Sequence, residues 1–196
     1  MLRDFARQSL AGLRILLVLT VVLGVAYPAA VWGVGQVAAR DQAEGQPVTV
    51  DGRVVGSALL GQNFGGERWF HSRPSANDYD SLASAPSNLG PSNPDLITGI
   101  EERRAEIAAR ESVDPAGVPP DALTASGSGL DPQISVDYAT VQVARVARAN
   151  GLPVATVAAL VARYTEGRSL GFLGEPGVNV LRLNVAVQDA AMKTAS

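Results

Sequence analysis

The chain has 196 residues, is 46% hydrophobic and 18% charged, and carries a net charge of −3 with one His and no Cys. Its length suits one domain with an added anchor, and its composition excludes disulfides, thiolate metal sites, a Cys nucleophile and any site built on two imidazoles. A pI near 5.2 leaves no overall basic footprint for nucleic acid.

The average conceals two populations. Of residues 1–39, 26 are hydrophobic, against 65 of the remaining 157. The first part carries Arg3, Arg7, Arg14 and Asp4, a net +2, and the rest carries −5. From Ile15 to Ala39, 25 consecutive residues have no formal charge, enough for a helix to cross a hydrocarbon core of roughly 30 Å. Tyr27 and Trp32 lie toward the far end of this run, where amphipathic rings favour the headgroup region, and Pro28 predicts a kink there. The apolar stretch is longer than the 7–15 residues of a cleaved signal peptide, so a retained anchor is expected. The preceding arginines place the N-terminus in the cytoplasm by the positive-inside rule. The expected organisation is a cytoplasmic N-terminus over 1–14, a transmembrane helix over 15–37, a linker over 38–47 and an extracytoplasmic domain over 48–196.

Within that domain, Val48–Val55 reads as a β-hairpin turning on Asp51-Gly52, since a type I′ turn needs positive φ at both central residues. Residues 56–94 are rich in Gly, Ser, Asn and Pro. They also carry Phe64, Trp69, Phe70 and Tyr79, which predicts an ordered irregular segment packed on the domain. A helix is expected from Asn93 as N-cap and Pro94 at the first position, ended by Pro115, Pro119 and Pro120. Thr124–Pro132 is expected as a tight loop in which Gly127 and Gly129 are free to take positive φ. Ser135 caps a helix running to about Asn150, with Gln142, Arg145 and Arg148 as a polar stripe that covers the Gly-rich loop or meets a partner. Pro153 opens another helix, ended by Gly167. Val178–Leu183 has strand character and Asn184–Ala191 helical character. The sum is an α+β extracytoplasmic domain behind a single N-terminal transmembrane helix.

Few residues point to chemistry. Ser126-Gly127-Ser128-Gly129 resembles a nucleophile elbow, but Ser126 stands where that motif has Gly. Ser128, His71 and Asp131 can be drawn as a triad; the simpler reading is that the serines hydrogen-bond a loop and His71 is packed. There is no phosphate loop with its Lys. Asp121, Asp131 and Asp137 fit no EF-hand spacing. Glu101 and Glu102 read as a solvated helix face, with Glu106 able to meet Arg110 at i,i+4.

Five fragments follow one another in order: Gly61-Gln62-Asn63-Phe64, Arg73-Pro74-Ser75-Ala76, Ser87-Asn88-Leu89-Gly90-Pro91, Ala125–Pro132 and Gly174–Leu181. Together with the single apolar span, they make the chain resemble the C subunit of the bacterial Kdp potassium-transporting ATPase along essentially its whole length. Departures from that pattern are Ala85-Pro86 in place of two glycines, Gln133 in place of a frequent His, and Val136 in place of a frequent Pro. The resemblance implies a non-catalytic accessory subunit of a high-affinity potassium uptake pump in the bacterial inner membrane. Its implied partners are a channel-like potassium-translocating subunit, a P-type ATPase subunit, a small membrane peptide and the lipid bilayer. It implies no cofactor in this chain, with ATP and Mg acting at the ATPase subunit; no Asp-Lys-Thr-Gly phosphorylation motif is present. Candidate partner-contact residues on the matching motifs are Gln62, Phe64, Arg73, Ser75, Asn88, Ser128 and Asp131. The alternatives are a membrane-anchored serine hydrolase using Ser128 and His71, or an adapter of another membrane complex.

Overall fold

The computed structural model describes residues 1–195 and divides the chain into two compact units, residues 1–46 and the remainder from Pro47 onward.

The first unit is almost entirely helical. Helix α1 (Leu2–Val21) passes through a π turn (Val22–Ala26) into α2 (Tyr27–Ala38). The continuous helix of 37 residues is about 55 Å long at about 1.5 Å per residue, and it is long and apolar enough to cross a membrane. It begins well before Ile15, so Arg3, Arg7 and Arg14 are helical too. Pro28 does not break it. Proline has no N–H to donate, and the chain takes up the defect just upstream, where the Tyr27 N–H reaches five residues back to the Val22 carbonyl. The expected linker contains a short helix, α3 (Arg40–Ala43).

The second unit is α+β. Strands β1 (Pro47–Val50) and β2 (Arg53–Ser57) form the expected hairpin, with a bulge at Val48/Thr49. Its turn residues Asp51 and Gly52 have φ of 49° and 75°. Helix α4 (Pro94–Glu111) starts as expected, Asn93 accepting from the Asp95 N–H at 2.8 Å. It ends before the prolines, because Ser112 turns left-handed at φ 57°. Short α5 (Pro120–Leu123) leads to β3 (Gln133–Ser135) and α6 (Val136–Ala149). Ser135 caps α6 by accepting from the Tyr138 N–H at 3.0 Å. Helix α7 (Val154–Arg163) ends at Tyr164, before Gly167, because Thr165–Glu166 pair as β4.

Strand β5 (Gly177–Asn179) is the centre of an antiparallel sheet of order β3-β5-β4. The expected strand over Val178–Leu183 is corrected here: helix α8 (Val180–Ala195) starts at once. Asn179 sets this boundary. Its side chain accepts from the Arg182 N–H at 3.1 Å as an N-cap and donates to the Ala58 carbonyl at 2.7 Å. β-branched Val178 and Val180 suggest strand locally, but Val180 faces the core at 1% exposure from the first turn of the helix.

The core is built where α4, α6, α7 and α8 meet the sheet. Ala139, Val146, Val157, Val178, Leu183 and Val187 are fully buried there, together with Phe70 from the irregular segment.

Candidate partner-contact site

Three irregular segments, 61–64, 72–77 and 126–131, are bound to one another. The Gly61 N–H donates to the Leu130 carbonyl at 2.7 Å, and a Cβ on Gly61 would lie 2.5 Å from the Asp131 carbonyl oxygen. Only glycine allows that approach. The Ser126 N–H donates to Pro74 at 3.1 Å. Ser75 Oγ lies 2.7 Å from the Gly129 carbonyl oxygen and accepts from the Tyr79 N–H at 3.0 Å. Of the two glycines expected to bend the 126–129 loop, Gly129 takes positive φ, at 70°. A Cβ there would strike Asn77 Oδ1.

Arg73 and Asp131 close this arrangement. Arg73 Nη1 donates to Asp131 Oδ2 at 3.0 Å, with the two side chains 25% and 32% exposed. Asp131 Oδ1 also accepts from the Gln133 N–H at 3.0 Å. Gln62 sits beside them, its carbonyl accepting from Ser72 Oγ at 2.9 Å. Ser128 is exposed; its Oγ accepts from the Leu130 N–H, and its carbonyl accepts from Ser84 Oγ, both at 3.0 Å. A shallow groove of about 500 Å³ runs along this face between Leu59, Leu60, Ser84, Ser128 and Asp131. The structure thus joins Gln62, Arg73, Ser75, Ser128 and Asp131. Phe64 is half-buried against the core with its ring 6.5 Å from Trp69. Asn88, left-handed at φ 55°, lies in the exposed stretch 81–92.

No triad forms from Ser128, His71 and Asp131. Asp131 is held by Arg73 and a backbone N–H, and Ser128 Oγ by Leu130. His71 Nε2 lies 2.9 Å from the Gly66 carbonyl. A carbonyl only accepts, so Nε2 carries the proton. Burial holds the His71 imidazole below its usual value, against the opposing effect of that hydrogen bond. Asp121 likewise serves its own fold, accepting from the Ser135 N–H and Oγ, each at 2.8 Å.

The polar stripe expected on α6 is corrected by burial: Gln142 and Arg145 are 0% and 1% exposed, while Arg148 is exposed. Gln142 and Arg145 grip the irregular segment. Gln142 accepts from the His71 N–H at 2.7 Å and donates to the His71 carbonyl at 3.3 Å. Asn184 of α8 does the same for Phe70, at 2.8 and 2.9 Å. Arg145 Nη1 donates to the carbonyls of Glu67 and Trp69 at 2.5 and 2.9 Å. Its Nη2 donates to Gln142 at 2.9 Å, and its Nε meets the fully buried Glu111 carboxylate at 2.9 Å. The segment behaves as a strand whose neighbours are side chains. The signal available in the sequence was an amide recurring in otherwise apolar helical faces, at Gln142 and at Asn184.

A family model described as KdpC, K+-transporting ATPase c chain, matches residues 9–189. The potassium-transporting ATPase KdpC subunit of Kineococcus radiotolerans is 56% identical over 192 residues, covering 97% of each chain. The subunit of the same name from Mycobacterium tuberculosis is 49% identical over 185 residues, covering 92% of this chain and 97% of the relative. That of Nitratidesulfovibrio vulgaris is 48% identical over 188 residues, covering 94% of both. These matches run through the apolar helix, the bound loops and the buried clamp alike, and the chain belongs to the KdpC family of potassium-transporting ATPase subunits.

Proposed function

We propose that the chain is the non-catalytic accessory subunit of a high-affinity, ATP-driven potassium uptake pump, supporting assembly and activity of a channel-like subunit and a P-type ATPase subunit. The observation that carries this reading is the family match over residues 9–189, and the candidate contact face is marked by the Arg73–Asp131 pair. It ties two loops together on a partly exposed face, in a chain whose other candidate catalytic groups are spent on its own backbone. In this reading ATP and Mg act at the ATPase subunit, and a small membrane peptide joins the complex. The apolar helix packs among the membrane subunits, where Gly24, Gly33 and Gly35 permit close backbone approach. The excess of arginine before the span supports a cytoplasmic N-terminus and an extracytoplasmic domain. The net −5 of residues 40–196 enriches cations only weakly, since salt screens it within roughly 8 Å.

The test is to replace Arg73 or Asp131 by Ala, purify the assembly through a tag on this chain, and measure potassium-stimulated ATPase activity. Reduced recovery of partner subunits or reduced activity is expected for both. Unchanged assembly and activity for both would remove these residues from the interface.

A further inference from the structure

The apolar helix is longer than its uncharged run. Of its 37 residues, Leu2–Arg14 precede the stretch without formal charge that opens at Ile15. With that stretch in the hydrocarbon, Leu2–Arg14 begins at the headgroups of one leaflet and continues outward.

The charges of this lead segment are not scattered. At about 100° per residue, Arg3, Arg7 and Arg14 of the regular helix α1 fall within an arc of about 40°. Leu2, Phe5 and Leu13 lie about 100° or more from the middle of that arc. All three arginines are exposed, and none has a hydrogen bond or ion pair among the described residues. Asp4, the one acidic residue before Asp41, takes the N-terminal ammonium at 3.2 Å. The chain therefore supplies no counter-charge to the stripe.

Depth selects the group that does. Arg14 adjoins Ile15 at the edge of the uncharged run, and Arg7 lies about 10 Å farther along the axis. That interval spans a headgroup layer roughly 5–8 Å thick. Helical side chains lean toward the N-terminus, which carries the Arg14 guanidinium out of the hydrocarbon and toward Arg7. A guanidinium offers paired N–H donors to phosphate oxygens, and two on one helix face can share one phosphodiester. Arg3, about 6 Å beyond Arg7, adds attraction that salt screens.

We propose that Arg7 and Arg14, with Arg3 behind them, bind the headgroup phosphate of an acidic phospholipid in the leaflet where the helix begins. The proposal rests on the reading of Leu2–Ala38 as a membrane span and adds a lipid preference to it. Charge complementarity names the occupant: a zwitterionic headgroup carries its own cation and leaves the stripe uncompensated.

The experiment reconstitutes the full chain in phosphatidylcholine bilayers with a trace of spin-labelled phosphatidylglycerol or spin-labelled phosphatidylcholine. Electron paramagnetic resonance then reports which lipid is held at the protein. A preference for phosphatidylglycerol of at least about threefold is expected, since each arginine near the surface contributes about fivefold before salt screening. Arg7→Gln combined with Arg14→Gln is expected to abolish the preference, with helix content by circular dichroism unchanged. Arg7→Gln combined with Gln8→Arg keeps the net charge but moves one guanidinium about 100° off the stripe, and is expected to halve the preference. No preference in the unmodified chain, or an undiminished one in the moved-charge variant, overturns the proposal. The lipid comparison on the unmodified chain decides this even if a variant inserts poorly. Failure of the unmodified chain to insert at all overturns the span reading, and the proposal with it. On the purified assembly the preference is expected to persist; its disappearance there assigns the arginines to an acidic segment of a partner subunit and overturns the lipid as occupant.

Discussion

Residues 67–77 and 81–92 both lack regular secondary structure, yet they are ordered to different degrees by the rest of the fold. The first has its polar backbone taken up by Arg145, Gln142 and Asn184, and it plants Phe70 in the core at 0% exposure. The second is exposed throughout and is tied near its start, by Ser84 to Ser128 and by the Asn77 amide to the Ala83 carbonyl. Irregular backbone can enter a core when side chains replace the missing strand partners. Otherwise it stays at the surface, in water.

Four substitutions probe that contrast. Glu111→Ala strands Arg145 as a buried unpaired charge, and unfolding in denaturant is expected to show a loss of about 3–5 kcal/mol. Asn184→Ala orphans the N–H and C=O of Phe70, for a loss of about 3 kcal/mol. Hydrogen exchange should show the Phe70 amide opening faster, while amides in the middle of α7 exchange as before. Gly129→Ala puts a side chain at positive φ and against Asn77, and a loss of about 1–2 kcal/mol in thermal unfolding is expected. Leu82→Ser, at a residue 95% exposed in the second stretch, should change stability by no more than about 0.5 kcal/mol. A large effect of Leu82→Ser, or a negligible one of Asn184→Ala, would collapse the distinction.

The legible features are those fixed by neighbours in sequence. Asn93-Pro94 and Ser135 start helices because a cap and the N–H that donates to it lie within three residues, and Asp51-Gly52 turns the hairpin for the same local reason. Arg73 and Asp131 were singled out individually from motifs, but their pairing spans 58 positions and has no local signature. Gln142 and Arg145 are expected to cover the Gly-rich loop or meet a partner, and they hold residues 67–71 instead, because helical periodicity gives the face a polar residue lies on and not the segment it meets. It does not register that a distant loop needs donors and acceptors inside the core. At Asn179, β-branched neighbours argued for continuing the strand, while the cap it forms with Arg182 and its bond to Ala58 favoured the helix.

The π turn ahead of Pro28 also fixes a rotational phase. One residue inserted into an α-helix displaces the angular position of everything beyond it by about 100°. The stripe presented to neighbouring helices by Leu2–Val21 is therefore offset by that amount from the stripe presented by Tyr27–Ala38. A single uninterrupted helix would aim both halves along one line. This one presents its two halves in two directions, at two depths along its length.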